Sequence, residues 1–74
     1  MSTQIVSKQY LAQQVFAYAK LQAKDNYGWW LIHDNAQRNG VAEILEVLND
    51  SEAYDVPTAI SAMQEVATAN NEDN

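Results

Sequence analysis

The chain has 74 residues and a mass of 8.3 kDa, which is enough for one compact domain. Hydrophobic residues make up 47% of it and argue against wholesale disorder. The absence of cysteine excludes a disulfide framework and a thiolate zinc site. No apolar run approaches the ~18 residues of a membrane span, and no basic segment precedes an apolar stretch near the start. We therefore expect a cytoplasmic protein that does not associate with membranes.

The charge is acidic and unevenly distributed. Ten acidic residues against four basic ones give a net charge of −6. All four basic residues lie in residues 1–40, whereas residues 41–74 carry eight acidic residues and no basic one. Nucleic acid and anionic membranes repel such a charge, so we expect neither as a direct partner. A basic protein surface, or the basic half of a second copy, fits it better; alternatively, the acidity only provides solubility.

Helices are favoured throughout the chain, because glycine and proline are scarce and strong helix formers are common. The hydrophobic patterns predict an all-α fold, a single small bundle of three to four short antiparallel helices within residues 1–69. Residues 70–74 are polar, and we expect them to form a frayed C-terminal tail.

The first predicted helix runs from Ser7, a suitable N-cap, to Lys24. One apolar stripe on this helix faces the predicted core. A second apolar strip lies elsewhere on the same helix and consists of Tyr10, Ala17 and Leu21. Because one helix face cannot bury both stripes, the second strip predicts a self-association surface and a homodimer.

A second segment lies between two predicted chain breaks. Asp25 and Asn26 predict a break followed by a new helix cap, and Asn39-Gly40 predicts the next helix end. Residues 27–38, between these signals, carry more bulky apolar side chains than one face can bury. Aromatic residues beside a glycine can also begin a β-strand, but we prefer a helix for this segment.

Residues 41–50 show the clearest amphipathic pattern, with apolar residues on one side and Glu43, Glu46 and Asp50 on the other. A fourth helix is predicted to begin at about Asp55, with Pro57 in its first turn. Together the four segments predict one apolar core. Its expected members are Leu11, Val15, Trp29, Ile32, Ile44, Leu45, Leu48, Ile60 and Met63.

Catalytic patterns are weak in this sequence. The only histidine, His33, precedes Asp34, and neighbouring residues on a helix point about 100° apart. No serine sits in a nucleophile-elbow or triad context. The serines are Ser2, Ser7, Ser51 and Ser61. We therefore predict a structural role for His33 and no enzymatic activity.

Three acidic residues, Asp50, Glu52 and Asp55, crowd the loop predicted after the third helix. Hard cations prefer such oxygen ligands, but the segment is too short for a calcium loop and lacks its central glycine. Helix capping by Asp50 and Asp55 is the better explanation. We expect no metal ion and no other cofactor.

An aromatic cluster is the first candidate for a binding surface. Tyr27, Trp29 and Trp30 fall within four residues, and Tyr54 follows later in the chain. Tryptophan and tyrosine are enriched at binding hot spots because they are large, stiff and partly polar. We expect Trp29 in the core, and Tyr27, Trp30 and Tyr54 at a partner-binding surface. Burial of both tryptophans in one core is the alternative.

An acidic helix face is the second candidate. Glu43, Glu46 and Asp50 would form a ridge with a rise of ~4.5–6 Å between successive carboxylates. This spacing is loosely comparable to the charge spacing along a nucleic-acid backbone. Glu52 and Asp55 would extend the ridge. Such a surface can compete for the basic groove of a nucleic-acid-binding protein; a merely solvated face is the alternative.

In size and acidity the chain resembles the small acidic accessory proteins of phages and mobile elements, with no shared motif. Many of those proteins inhibit host defence or nucleic-acid enzymes. The leading hypothesis is therefore a non-enzymatic protein-binding module, most concretely an inhibitor of a nucleic-acid-handling protein that acts as a DNA mimic. The alternative is a structural homo-oligomer.

Overall fold

The computed structural model describes residues 7–72, which form four α-helices. These helices are α1 (Lys8–Gln22), α2 (Tyr27–Asn39), α3 (Ala42–Asp50) and α4 (Val56–Glu72). Each helix packs against the other three. The predicted all-α bundle is confirmed, and residues 27–38 belong to a helix rather than to a strand. No helix within residues 7–72 has the length and apolar character that crossing a bilayer requires.

The first three helix boundaries follow from local capping interactions. The Ser7 hydroxyl oxygen accepts a hydrogen bond from the Tyr10 N–H at 3.1 Å, as expected of an N-cap. Asn26 does the same for α2, with its Oδ1 accepting from the Trp29 N–H at 3.0 Å. Gly40 ends α2 at a φ of +86°, a backbone conformation that glycine adopts without steric cost.

The fourth helix begins with a reciprocal cap. The Thr58 N–H donates to Asp55 Oδ1 at 3.0 Å, and the Asp55 N–H donates back to Thr58 Oγ1 at 3.1 Å. This arrangement resembles a capping box. Pro57 is tolerated next to it because the first turn of a helix has no internal acceptor for its missing N–H.

The core is close to the predicted one. Seven of the nine expected residues are buried, and the other two, Leu45 and Ile60, are partly buried against them. Six buried alanines were not in the prediction. They are Ala12, Ala19, Ala36, Ala53, Ala59 and Ala67. The side chains at a contact set how closely two helices approach, so the five alanines that belong to helices allow close packing there. Ala53 lies in the loop between α3 and α4.

Two helix ends differ from the sequence-based prediction. Helix α1 ends at Gln22 instead of Lys24, because the chain turns at residues 23–25 to reach the cap of α2. Helix α4 continues to Glu72, so residues 70–72 are helical and do not belong to a frayed tail. The remaining tail residues, Asp73 and Asn74, lie outside the described residues.

Leu48 provides a test of the core. The Leu48 side chain is fully buried, whereas Leu21 is 64% exposed. We expect Leu48→Ala to lower the free energy of unfolding by about 2–5 kcal/mol, because it leaves a cavity among packed side chains. The matched control Leu21→Ala should change it by less than about 0.5 kcal/mol. Urea denaturation followed by far-ultraviolet circular dichroism measures both; equal effects would contradict this packing.

Candidate partner-binding site

Tyr27 and Trp30 form an exposed aromatic pair at the start of α2, here called the aromatic patch. They are 45% and 44% exposed, and their rings stack with centroids 6.0 Å apart. Trp29, between them in sequence, is 1% exposed and donates from Nε1 to Gln64 Oε1 at 3.1 Å. Its ring also packs edge-on against Tyr18. Trp29 is therefore the core tryptophan, as predicted, and Trp30 is the surface one.

The aromatic patch is positioned by the contact between α2 and the end of α4. The Gly28 N–H donates to Asn71 Oδ1 at 2.7 Å, and Asn71 Nδ2 donates to Asn26 Oδ1 at 3.1 Å. Gly28 lies so close to α4 that a Cβ atom at this position would overlap the Ala67 carbonyl oxygen. The first turn of α2 therefore rests directly on the α4 backbone. Asn71 was assigned to the frayed tail from sequence, yet it satisfies an N–H group that α2 itself cannot satisfy.

Glu43, Glu46 and Asp50 are exposed along α3, here called the acidic ridge. The only ion pair within residues 7–72 joins Arg38 to Asp34, so the ridge carboxylates have no cationic partner in the described part of the chain. Asp50 is the last residue of α3. A carboxylate there faces the negative end of the helix dipole, which does not favour the helix. Stability of α3 therefore does not explain why Asp50 is acidic.

The loop after α3 separates the remaining acidic candidates. Glu52 is exposed and occupies a positive-φ position, and Tyr54 is 71% exposed. Asp55, in contrast, caps α4, and its Oδ1 also accepts from the Thr58 hydroxyl at 2.8 Å. Capping by Asp55 is thus as predicted, and this carboxylate is already engaged within the chain. Capping by Asp50 was wrong, because the C-cap of α3 is Ser51 and the cap of α4 is Asp55.

The second apolar strip on α1 lies on the surface. Tyr10 is 51% exposed, Leu21 is 64% exposed, and Ala17 between them is also exposed. Lys20 and Lys24 are also exposed, and both are close to Leu21 in the sequence. The strip is thus free for contact with another molecule, as the sequence indicated.

A groove along α3 and α4 was not predicted from the sequence. It consists of two neighbouring depressions, one of about 370 Å³ between α2, α3 and α4 and one of about 400 Å³ between α3 and α4. Val47 and Val66 line both depressions. We call the combined feature the α3–α4 groove. The sequence pattern predicts Val47 on the core side of α3, and the structure places it there. The pattern could not show that the neighbouring helices leave the Val47 side chain partly exposed.

Several of the candidate catalytic groups make structural contacts. His33 is half-buried, and its ring stacks on Phe16 with centroids 5.3 Å apart. The carboxylate of its neighbour Asp34 accepts from Arg38 Nε. The Ser51 hydroxyl donates to a backbone carbonyl in α3, and Ser2 lies outside the described residues. Within residues 7–72, no group of three histidine or carboxylate side chains is placed to hold a metal ion.

Gly28 tests the contact that positions the aromatic patch. An ordinary Gly→Ala change inside a helix stabilises it by up to about 1 kcal/mol. Here we expect Gly28→Ala to destabilise the protein by about 1–3 kcal/mol, because the new methyl group meets backbone. Adding Ala67→Gly should not rescue Gly28→Ala, since the obstructing atom is a carbonyl oxygen and not a side chain. Urea denaturation of the single and double variants measures this; a stabilising Gly28→Ala would refute the close approach.

Comparison with known proteins finds no match, whether to a protein-family model, a curated protein or a solved structure. Functional inference for this chain therefore starts from the chemistry of its surfaces.

Proposed function

We propose that this protein is a non-enzymatic protein-binding module, most concretely an inhibitor that occupies the basic groove of a nucleic-acid-handling protein. The acidic ridge is the observation that supports this most. Its three carboxylates are exposed on one helix and have no cationic partner among residues 7–72. A nucleic-acid-handling partner also implies a cytoplasmic location.

The geometry of the ridge supports mimicry of nucleic acid. On an α-helix, the steps from Glu43 to Glu46 and from Glu46 to Asp50 rise by about 4.5 and 6 Å. A groove that binds the phosphate backbone presents lysine and arginine side chains to charges at a loosely comparable spacing, about 3.4 Å along the axis for each strand. Exposed Glu52 extends the negative charge beyond the end of α3. Electrostatic attraction of this kind mainly accelerates association and selects the partner.

The aromatic patch supplies the second part of the proposed contact. Tyr27 and Trp30 stack on each other, so much of their side-chain entropy is already lost before a partner binds. Large, pre-ordered aromatic side chains are typical anchors of protein interfaces. Burial of the patch would slow dissociation, whereas the ridge would act on association.

Charge reversal and aromatic truncation separate these two contributions. We expect Glu46→Lys with Asp50→Lys to lower the association rate by about tenfold or more and to leave the fold intact. Trp30→Ala should instead raise the dissociation rate, because it removes anchor area. The measurement is surface plasmon resonance against the protein that wild-type chain captures from lysate of its native host, at low salt and at about 0.5 M salt.

A matched control changes the same net charge elsewhere. Asp25→Lys with Glu72→Lys also replaces two exposed carboxylates by ammonium groups, but it leaves the ridge intact. This variant should retain most of the wild-type association rate. If the complex persists at about 0.5 M salt and the two double variants have equal association rates, the ridge is only a solvated face.

A structural homo-oligomer is the second candidate function. The exposed apolar strip of α1 favours it, because Tyr10 and Leu21 leave large apolar surfaces in water. In this case, sedimentation at micromolar concentration should give twice the 8.3 kDa of one chain. Leu21→Ser should then return the protein to the mass of a single chain without unfolding it. A single-chain mass for the wild-type protein at high concentration and physiological salt would exclude this candidate.

A further inference from the structure

We infer that the α3–α4 groove binds a basic amphipathic helix belonging to the protein partner. This inference rests on the proposed function, because it assumes that the partner is a protein. It goes beyond that proposal by assigning an apolar groove that borders the acidic ridge at Glu43 and Asp50, and by naming the element that fills it.

The shape of the groove suits a short helix. Its two depressions, of about 370 and 400 Å³, lie next to each other and share Val47 and Val66 as lining residues. Helix α3, which forms one wall, has nine residues and is therefore about 13 Å long. Two to three turns of a second helix have about the same length.

The lining of the groove is apolar at its base. Ile44 and Met63 are buried beneath it, and the partly buried Val47 and Val66 form its sides. Exposed Ala69 widens it at the α4 side. A helix that lays apolar residues spaced i, i+4 and i+7 into such a groove contacts it along its whole length.

The charged residues around the groove favour a positively charged helix as its ligand. Glu43, Asp50 and Glu65 line it, and none of these carboxylates forms an ion pair in the described part of the chain. Asp34 also lines it but is neutralised by Arg38. Lysine or arginine residues beside the apolar anchors would therefore meet unpaired carboxylates, whereas an acidic helix would be repelled.

A second copy of this chain is the less suitable occupant. The α1 strip has the right chemistry, since Leu21 is exposed beside Lys20. However, the groove is lined by α2, α3 and α4 without any α1 residue, so strip and groove are different patches of one molecule. Docking the α1 strip of one copy into the groove of another is a head-to-tail contact. Such a contact leaves one groove of a dimer empty, or it adds further copies to form an open filament.

A pair of matched variants tests the inference. Ala69→Arg places a long cationic side chain in the groove, and Gln13→Arg places the same side chain on an exposed part of α1 outside the apolar strip. Both variants change the net charge equally and replace an exposed helical residue. The probe is a synthetic peptide of about 15 residues with leucines spaced i, i+4 and i+7 among lysines and alanines. A scrambled peptide of the same composition controls for general electrostatic attraction.

We expect isothermal titration calorimetry to show that wild-type protein binds the amphipathic peptide at least about tenfold more tightly than the scrambled one. Ala69→Arg should weaken this binding by about tenfold or more, while Gln13→Arg should leave it within about twofold. Amide shifts in nuclear magnetic resonance spectra should change mainly in the groove-lining segments, residues 31–39, 43–51 and 62–70.

Four results would overturn the inference. Equal binding of both peptides would show attraction by net charge alone. Equal weakening by the two arginine variants would place the peptide outside the groove. An oligomeric wild-type protein that becomes a single chain only with Ala69→Arg would show that a second copy fills the groove. If Ala69→Arg still captures the partner from host lysate but Glu46→Lys with Asp50→Lys does not, the groove assignment fails and the proposed function stands.

Discussion

The close approach of α2 to α4 at Gly28 is the constraint on which the rest of the structure depends. Only a residue without a side chain lets the first turn of α2 rest on the backbone around Ala67. That contact places Trp29 in the core, where Gln64 of α4 satisfies its indole N–H. Because Trp29 and Trp30 are adjacent on a helix, burying one ring directs the other outward. The core contact thus generates the exposed aromatic patch.

Much of the fold could be predicted because its signals are local. The caps at Ser7, Asn26 and Asp55 each act within three residues, so the sequence alone indicates where α1, α2 and α4 begin. Helix α3 begins after Val41 without a side-chain cap. The helical role of Asn71 could not be predicted in this way. An asparagine near a chain end is typical of a frayed tail, and only the tertiary contact with Gly28, 43 positions away, shows that it caps another helix.

The candidate site was predictable to a lesser degree. Exposure of Trp30 and of the acidic ridge follows from helical periodicity, which assigns each side chain to a face. Asp55 was counted with the ridge, but its carboxylate caps α4. The sequence alone does not distinguish an aspartate that caps a helix from one whose charge is free. The α3–α4 groove depends on how far neighbouring helices cover Val47, and no single-helix pattern contains that information.

The small size of the domain explains why so much apolar surface stays outside. A chain of this length buries only about 60% of the surface that it exposes when unfolded, and Trp29 already occupies much of the interior. Large apolar side chains such as Trp30, Tyr10 and Leu21 are left in water, at some risk of non-specific association. The negative net charge opposes such association between copies. The same charge does not oppose a basic partner, and the docking to a basic protein that we propose would cover part of this apolar surface.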